Sequence, residues 1–317
     1  MSRDFEVVED LKFFALLNKW KVTLGRAREQ AKQRGQIARR GCLRTRFASL
    51  LPIKRPVFIL GCPRSGTTFL GQVMDSIPGS SYYFEPPILK YYSRLVYQGT
   101  AGTTRTSCLY RAVLHSLLLA APGNGPRVIE KNPTHTWIAE SLLQSFPDAR
   151  FVFIHRDGRD VALSLAAKPW HQRDAAAQGK REPGGYLYGP YPHFYIEPDR
   201  HDEFQSTTDY HRAIWIWRRY AEEMARLKRT LPETLQFHMS YEELVQQPKD
   251  TLEPMLRFLD EPSSVLGSVL EAANQGHGAS VGKWRTQLSA EERATTATEA
   301  GEMLRILGYA ARDAALF

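Results

Sequence analysis

A chain of 317 residues, 43% apolar and 24% charged, is long enough for one large globular domain or two small ones, and its composition excludes a disordered or fibrous protein. The formal charge of +8 is unevenly spread: residues 1–55 carry 14 Lys/Arg against 5 Asp/Glu, and the remaining 262 residues carry 28 against 29. The body of the chain is therefore nearly neutral, which argues against a nucleic-acid partner, because a binding domain of that kind needs a basic patch of its own.

Residues 5–40 read as a helix, with Val8, Leu11, Phe14, Leu17 and Trp20 on one stripe among many basic residues. Such an arm either packs its apolar face on the domain or lies in the interface of an anionic membrane. Pro52 and Pro56 bracket a linker, so residues 1–55 form an arm and 56–317 a catalytic domain. Three dispersed cysteines fit neither a disulfide framework nor a zinc site. The acidic start MSRDFEVVED does not read as a signal peptide, and the expectation is a cytoplasmic location, peripheral at the membrane surface if the arm binds there.

From PVFILG (56–61) onward, short apolar runs alternate with helical patterns. Strands are expected at 56–61, 80–84 (SSYYF), 127–131 (RVIEK), 150–155 (RFVFIH) and 234–238 (TLQFH). Helices are expected after the glycine loop, at 107–121, from about Thr134, from about Asp160 and at 209–230. That alternation predicts an α/β fold: a P-loop-like parallel sheet with helices on both faces. The stretch 168–208 breaks the rhythm; its aromatic, Gly/Pro-rich composition predicts a lid over an acceptor or a mobile surface loop.

Gly61-Cys-Pro-Arg-Ser-Gly-Thr-Thr68 follows a strand and opens a helix, where backbone N–H groups and the helix dipole favour an anion. Thr67 stands where a nucleoside-triphosphate loop has lysine, so the loop suits a single 5'-phosphate, with Arg64 supplying charge. In HRDGRDVALS, Arg156 sits at a strand end and Ser164 two helical turns on, so both reach one phosphate. The plain alternative for Arg156 is an ion pair with Asp157 or Asp160.

Together PRSGTTFL and FVFIHRDGRDVALS resemble the 5'-phosphosulfate loop and the 3'-phosphate motif of the sulfotransferases that use 3'-phosphoadenosine 5'-phosphosulfate (PAPS), in order and in spacing. The arginine in the loop is similar to the branch of tyrosylprotein and many bacterial sulfotransferases. The resemblance implies transfer of a sulfuryl group from PAPS, with adenosine 3',5'-bisphosphate (PAP) as product, no metal, and a hydroxyl or amine acceptor of unknown identity. It implies Glu85 as catalytic base, Lys131 of Lys131-Asn132-Pro133 at the sulfuryl group, and Arg64, Ser65, Gly66, Thr67 and Thr68 around the 5'-phosphosulfate. It also implies Arg156 and Ser164 at the 3'-phosphate, joined by Lys283 or Arg285 of GKWRTQLS (282–289). Tyr241 of YEELVQQP resembles a further family element, and Tyr241 and Trp284 either contact the nucleotide, Trp284 by stacking on adenine, or pack in the core. His135 is the rival base. A nucleoside or nucleotide kinase and a non-catalytic bisphosphate-binding protein remain as alternatives.

Overall fold

The computed structural model describes residues 18–32, 53–120, 125–172, 195–274 and 280–310. Five short runs form one parallel sheet: β1 (Val57–Leu60), β2 (Ser80–Phe84), β3 (Arg127–Lys131), β4 (Arg150–His155) and β5 (Gln236–Ser240), in the order β2-β3-β1-β4-β5. Central β1 is buried along its whole length, as expected of a strand covered on both faces. Alternation of side chains divides it between two cores. Phe58 and Leu60 join Val128, Phe151 and Phe153 on one face, while Val57 and Ile59 join Val152, Ile154 and Met239 on the other. A third core gathers around the Asp209–Thr230 helix, which packs on the helices Gly158–Ala166 and Ala290–Ile306.

The chain leaves β1 toward β2 and β3 on one side, then crosses to β4 and β5 on the other. The reversal opens a crevice at the carboxyl ends of β1 and β4, the place where open α/β sheets bind ligands.

Several boundaries differ from the sequence reading. The last strand is Gln236–Ser240, in register with Phe151–His155, and Glu233–Leu235 is a 3-10 turn after Pro232. The helix expected from Thr134 begins as a 3-10 turn, Pro133–Ile138, capped by the Asn132 side chain, and becomes α-helical at Ala139–Ser145. The helix expected from Asp160 starts at Gly158, because the Asp157 carboxylate accepts the Arg159 N–H. The stretch 168–208 is less irregular than expected: Pro198–Arg200 and His201–Ser206 are helical and Phe204 is buried in the third core.

Arg200 and Arg218 tie that stretch down by sharing Glu299 of the C-terminal helix. Burial would raise Glu299, but hydrogen bonds from His211 and Arg200 and the charge of Arg218 outweigh it and hold the carboxyl at about 2. Glu203, His211 and Glu299 have the spacing of a metal site; the same carboxylates pair with Arg200 and Arg218. The centre of the expected lid, 173–194, lies outside the described residues.

In the arm, 18–32 is helical. Thr23, Ala27 and Ala31 are buried, and Trp20 and Leu24 pack on the first core. The Thr23 hydroxyl accepts the Ile88 N–H at 3.1 Å. Over these residues the apolar stripe is used on the domain, whereas Val8, Leu11, Phe14 and Leu17 lie outside the described residues. No described helix is long and apolar enough to cross a membrane. Ala27→Asp puts an unpaired carboxylate into this contact and should lower stability by about 1–3 kcal/mol, read from the urea midpoint; an unchanged midpoint would mean the arm adds nothing to the folded domain.

Candidate active site

The turn after β1 is shaped by two glycines in the left-handed region. Gly61 has φ +150°, and a Cβ there would lie 2.3 Å from the Ile154 carbonyl oxygen; Gly66 has φ +88°, and a Cβ would strike the Tyr241 ring, also at 2.3 Å. The Thr67–Asp75 helix that follows has no side-chain cap. Its first N–H groups and the positive end of its dipole are therefore available to an anion. Arg64, also left-handed at φ +72°, donates its Nε to the Ser164 hydroxyl at 3.0 Å.

β4 delivers Arg156 to the same place. Its guanidinium lies 4.7 Å from the centre of the Tyr241 ring and donates to the Ser280 carbonyl and, at 3.5 Å, to that of Arg64. Its Nε is buried without a hydrogen-bond partner. The two arginines, with Thr68, Ser164, Tyr241 and Lys283, wall a cleft of ≈ 420 Å³. Burial first, and then the charge of Arg156, lower the pKa of Arg64. Two cations are thus held together in partly desolvated space, an arrangement that an anion relieves. Guanidiniums, an ammonium, hydroxyls and bare helix N–H groups form a donor set that fits phosphate.

Beside this cleft, on the next strands, stand Glu85 and Lys131. Glu85 follows β2 at φ +38°, a strained conformation for a residue with a Cβ, and its N–H donates to the Lys131 carbonyl at 2.9 Å. Its carboxylate meets Lys131 Nζ at 2.5 Å and Lys90 Nζ at 3.8 Å. Burial would raise Glu85, but the charges of Lys131 and Lys90 outweigh it and hold the carboxyl below its usual range. Burial lowers Lys131, and Glu85 offsets that only in part. Glu85 also acts on Arg64, so the pair is within electrostatic reach of the cleft. Along the carboxyl edge, all five strands contribute: Glu85 after β2, Lys131 at the end of β3, the 61–68 turn after β1, Arg156 after β4 and Tyr241 after β5.

Ser164 lines the cleft beside Arg156, and its hydroxyl accepts from Arg64, so it joins the two motifs. The structure corrects three expectations. Ser65 is buried and its N–H is used by the Cys62 carbonyl at 3.1 Å, which removes it from the anion site. Trp284 is turned away from the cleft: it is buried in the third core, with the Arg159 guanidinium 3.5 Å from its ring, and it and Arg285 line a separate apolar groove. Lys283 is therefore the cation this loop presents. His135 is completely buried between Glu130 at 2.8 Å and the Tyr110 hydroxyl at 3.0 Å, which rules it out as a base for an outside substrate.

Of the ion pairs foreseen for Arg156, Asp157 instead takes Arg159, and Asp160 stands 3.7 Å from Arg156. Sequence reasoning missed Lys90, whose only signal is its place one turn into the helix after Glu85-Pro86. It also missed Glu242, which accepts the Asp157 N–H at 3.0 Å and the Tyr309 hydroxyl at 3.1 Å. Lys90→Met withdraws one of the two cations that lower Glu85, so Glu85 should titrate at higher pH, read from carboxyl NMR resonances; an unmoved titration would remove Lys90 from the site.

Residues 56–182 match a model of the sulfotransferase family. A protein-tyrosine sulfotransferase of Drosophila melanogaster is 24% identical over 221 residues, 65% of this chain and 38% of its own length. An uncharacterized protein of Aquifex aeolicus is 25% identical over 226 residues, covering 67% of this chain and 26% of that protein. The aligned region thus spans well under half the length of these relatives. Among solved structures, a sulfotransferase from Mycobacterium avium superposes with a TM-score of 0.55 at 18% identity, over 92% of this chain and 84% of that one. The sulfotransferase domain of the curacin biosynthetic pathway gives 0.50 at 16% identity, over 82% and 99%. At these identities the likeness is one of fold. The motif-bearing segment 56–182 thus matches the sulfotransferase family model, and the fold is the one these solved sulfotransferases share.

Proposed function

We propose that this chain transfers a sulfuryl group from PAPS to a hydroxyl or amine acceptor, releasing PAP. The observation that carries the reading is the convergence of two separate cationic sites in one cleft: Arg64 with an uncapped helix N-terminus, and Arg156 with Lys283. A nucleotide bearing both a 5'- and a 3'-phosphate uses both; a nucleoside triphosphate would need a lysine at the position of Thr67.

Bound there, the nucleotide supplies an activated sulfuryl group and a 5'-phosphate leaving group. The chain's own residues do the rest. Arg64, the N–H groups at the start of the Thr67–Asp75 helix and the Thr68 hydroxyl hold the 5' end and stabilise charge that develops on the leaving oxygen. Arg156 and Lys283 hold the 3'-phosphate, with the Tyr241 ring fixing the plane of the guanidinium. Lys131 offers its ammonium between Glu85 and the cleft. Glu85, kept ionised by two lysines, accepts the acceptor's proton at a carboxylate oxygen. In-line transfer of this kind leaves the protein mainly positioning and electrostatics.

Binding in EDTA tests the nucleotide. PAP should bind tightly and AMP far more weakly, and Arg156→Ala should lose most of the difference, on the order of 2–3 kcal/mol for a charge-assisted contact. Equal affinity for AMP and PAP would sink the 3'-phosphate assignment, and an absolute Mg²⁺ requirement would favour a kinase. For the chemistry, the acceptor is first identified by labelling a native extract with radioactive PAPS. Glu85→Gln should then lower kcat at least about 100-fold with PAP affinity little changed. A near-normal kcat would move the base elsewhere, and absence of turnover by the unmutated chain with every acceptor would favour a binding protein.

A further inference from the structure

A cleft built for anions contains one carboxylate that works against its ligand. Asp160 lines the same cleft as Arg64, Arg156 and Lys283, and its side chain is 1% exposed. An uncompensated carboxylate at that position repels a bound phosphate in a medium where charges are poorly screened. A first-turn acidic residue gains something from the dipole of its own helix, Gly158–Ala166. That gain does not require it to face the cleft.

What Asp160 holds accounts for its position. One carboxylate oxygen accepts the Gly282 N–H at 2.6 Å and the other accepts the Trp284 N–H at 3.0 Å. Gly282 sits in the left-handed region at φ +78°, so the turn that points both N–H groups at one carboxylate requires glycine. Between these two donors stands Lys283, the cation the loop presents to the cleft. Upstream, the Ser280 carbonyl accepts from Arg156, whose guanidinium lies 3.7 Å from Asp160, and the Ser280 hydroxyl meets Tyr241 at 3.1 Å. Downstream, Trp284 turns its ring out of the cleft and into the third core. The loop is thus held on one side by core packing and on the other by a carboxylate and an arginine that belong to the strand-end motif.

We infer that Asp160 is a positioning residue that latches the 280–287 loop to Arg156, so that seating Lys283 and recognising the 3'-phosphate are a single event. The inference rests on the nucleotide reading of the cleft. It assigns Asp160 no contact with the reacting atoms. Asp160 costs the site some repulsion and returns two fixed loop amides, a placed ammonium and an oriented guanidinium.

The test uses the full chain and Asp160→Ala and Asp160→Asn, with circular dichroism to establish that each is folded. Without nucleotide, Asp160→Ala should speed hydrogen exchange at the Gly282 and Trp284 amides by about tenfold or more, because both lose their acceptor. Asp160→Asn, which keeps one carbonyl acceptor, should fall between. With nucleotide, Asp160→Ala should weaken PAP binding by about 10–100-fold, the loss expected of hydrogen bonds to a charged group, while AMP binding changes little.

Unchanged exchange at both amides would overturn the latch, whatever the nucleotide does. An equal loss for PAP and AMP would also overturn it, since general loosening of the site is not selective for the 3' end. Tighter PAP binding by Asp160→Asn would mean that repulsion is all the carboxylate contributes, which again overturns it. If the unmutated chain binds no PAP, the nucleotide reading fails by itself, and the exchange experiment without ligand still decides whether Asp160 holds the loop.

Discussion

Two guanidinium groups held in one cleft, with only Asp160 beside Arg156 to offset them among the cleft's described residues, set the terms for everything around them. Like charges in partly desolvated space repel, and a fold keeps them together only by anchoring each from behind. Arg156 is anchored through its own carbonyl, which accepts the Trp217 indole N–H at 2.9 Å, through the Tyr241 ring, and through the Ser280 carbonyl. Gly158 allows this by leaving room for Trp217, whose ring a Cβ would approach to 2.4 Å. Arg64 is anchored by Ser164 and by its left-handed backbone in the turn after β1. The binding energy for an anion is thus prepared by the core before any ligand arrives.

The same economy governs the neighbouring carboxylate. Glu85 is useful as a base only if it is ionised in a buried place, and the protein achieves that with Lys131 and Lys90. Lys131 contacts one Glu85 oxygen at 2.5 Å, and Lys90 stands 3.8 Å from the other, so the second oxygen keeps room to accept a proton.

Much of this was legible in the sequence because it follows from local chemistry. Strand β1 announced itself by an unbroken apolar run, the glycine turn by Gly61 and Gly66, and the strand-end arginine by its place after RFVFIH. Of the residues named from the resemblance, Arg156 and Lys283 line one cleft, and Glu85 and Lys131 pair beside it. What was not legible is which neighbour each side chain chooses. Ser164 faces Arg64 because the helix starting at Gly158 carries it across to the other motif, and helix phase alone does not reveal that. Trp284 and Arg285 directly follow Lys283 in sequence yet leave the cleft, because a left-handed Gly282 sets the direction of the turn. His135 stood as the rival base, and its burial between Glu130 and Tyr110 makes it part of the core, as a helix-start histidine more often is. The capping by Asp157, which shifted a helix start by two residues, was visible in principle as an Asp-Gly before an apolar run.

The link from Asp157 through Glu242 to Tyr309 has a consequence for biosynthesis. Tyr309 is fully buried; its hydroxyl reaches Glu242 and His155 and its carbonyl accepts from Arg159, so residues near the far end of the chain brace the ends of β4 and β5. A ribosome releases the glycine turn and β1 early, but these braces only after more than two hundred further residues have emerged. Until then Arg156 and Tyr241 lack their outer support, and closing such distant contacts is slow for a parallel sheet. A nascent chain truncated before Tyr309 would carry both phosphate motifs and their direct anchors but lack this outer brace on β4 and β5.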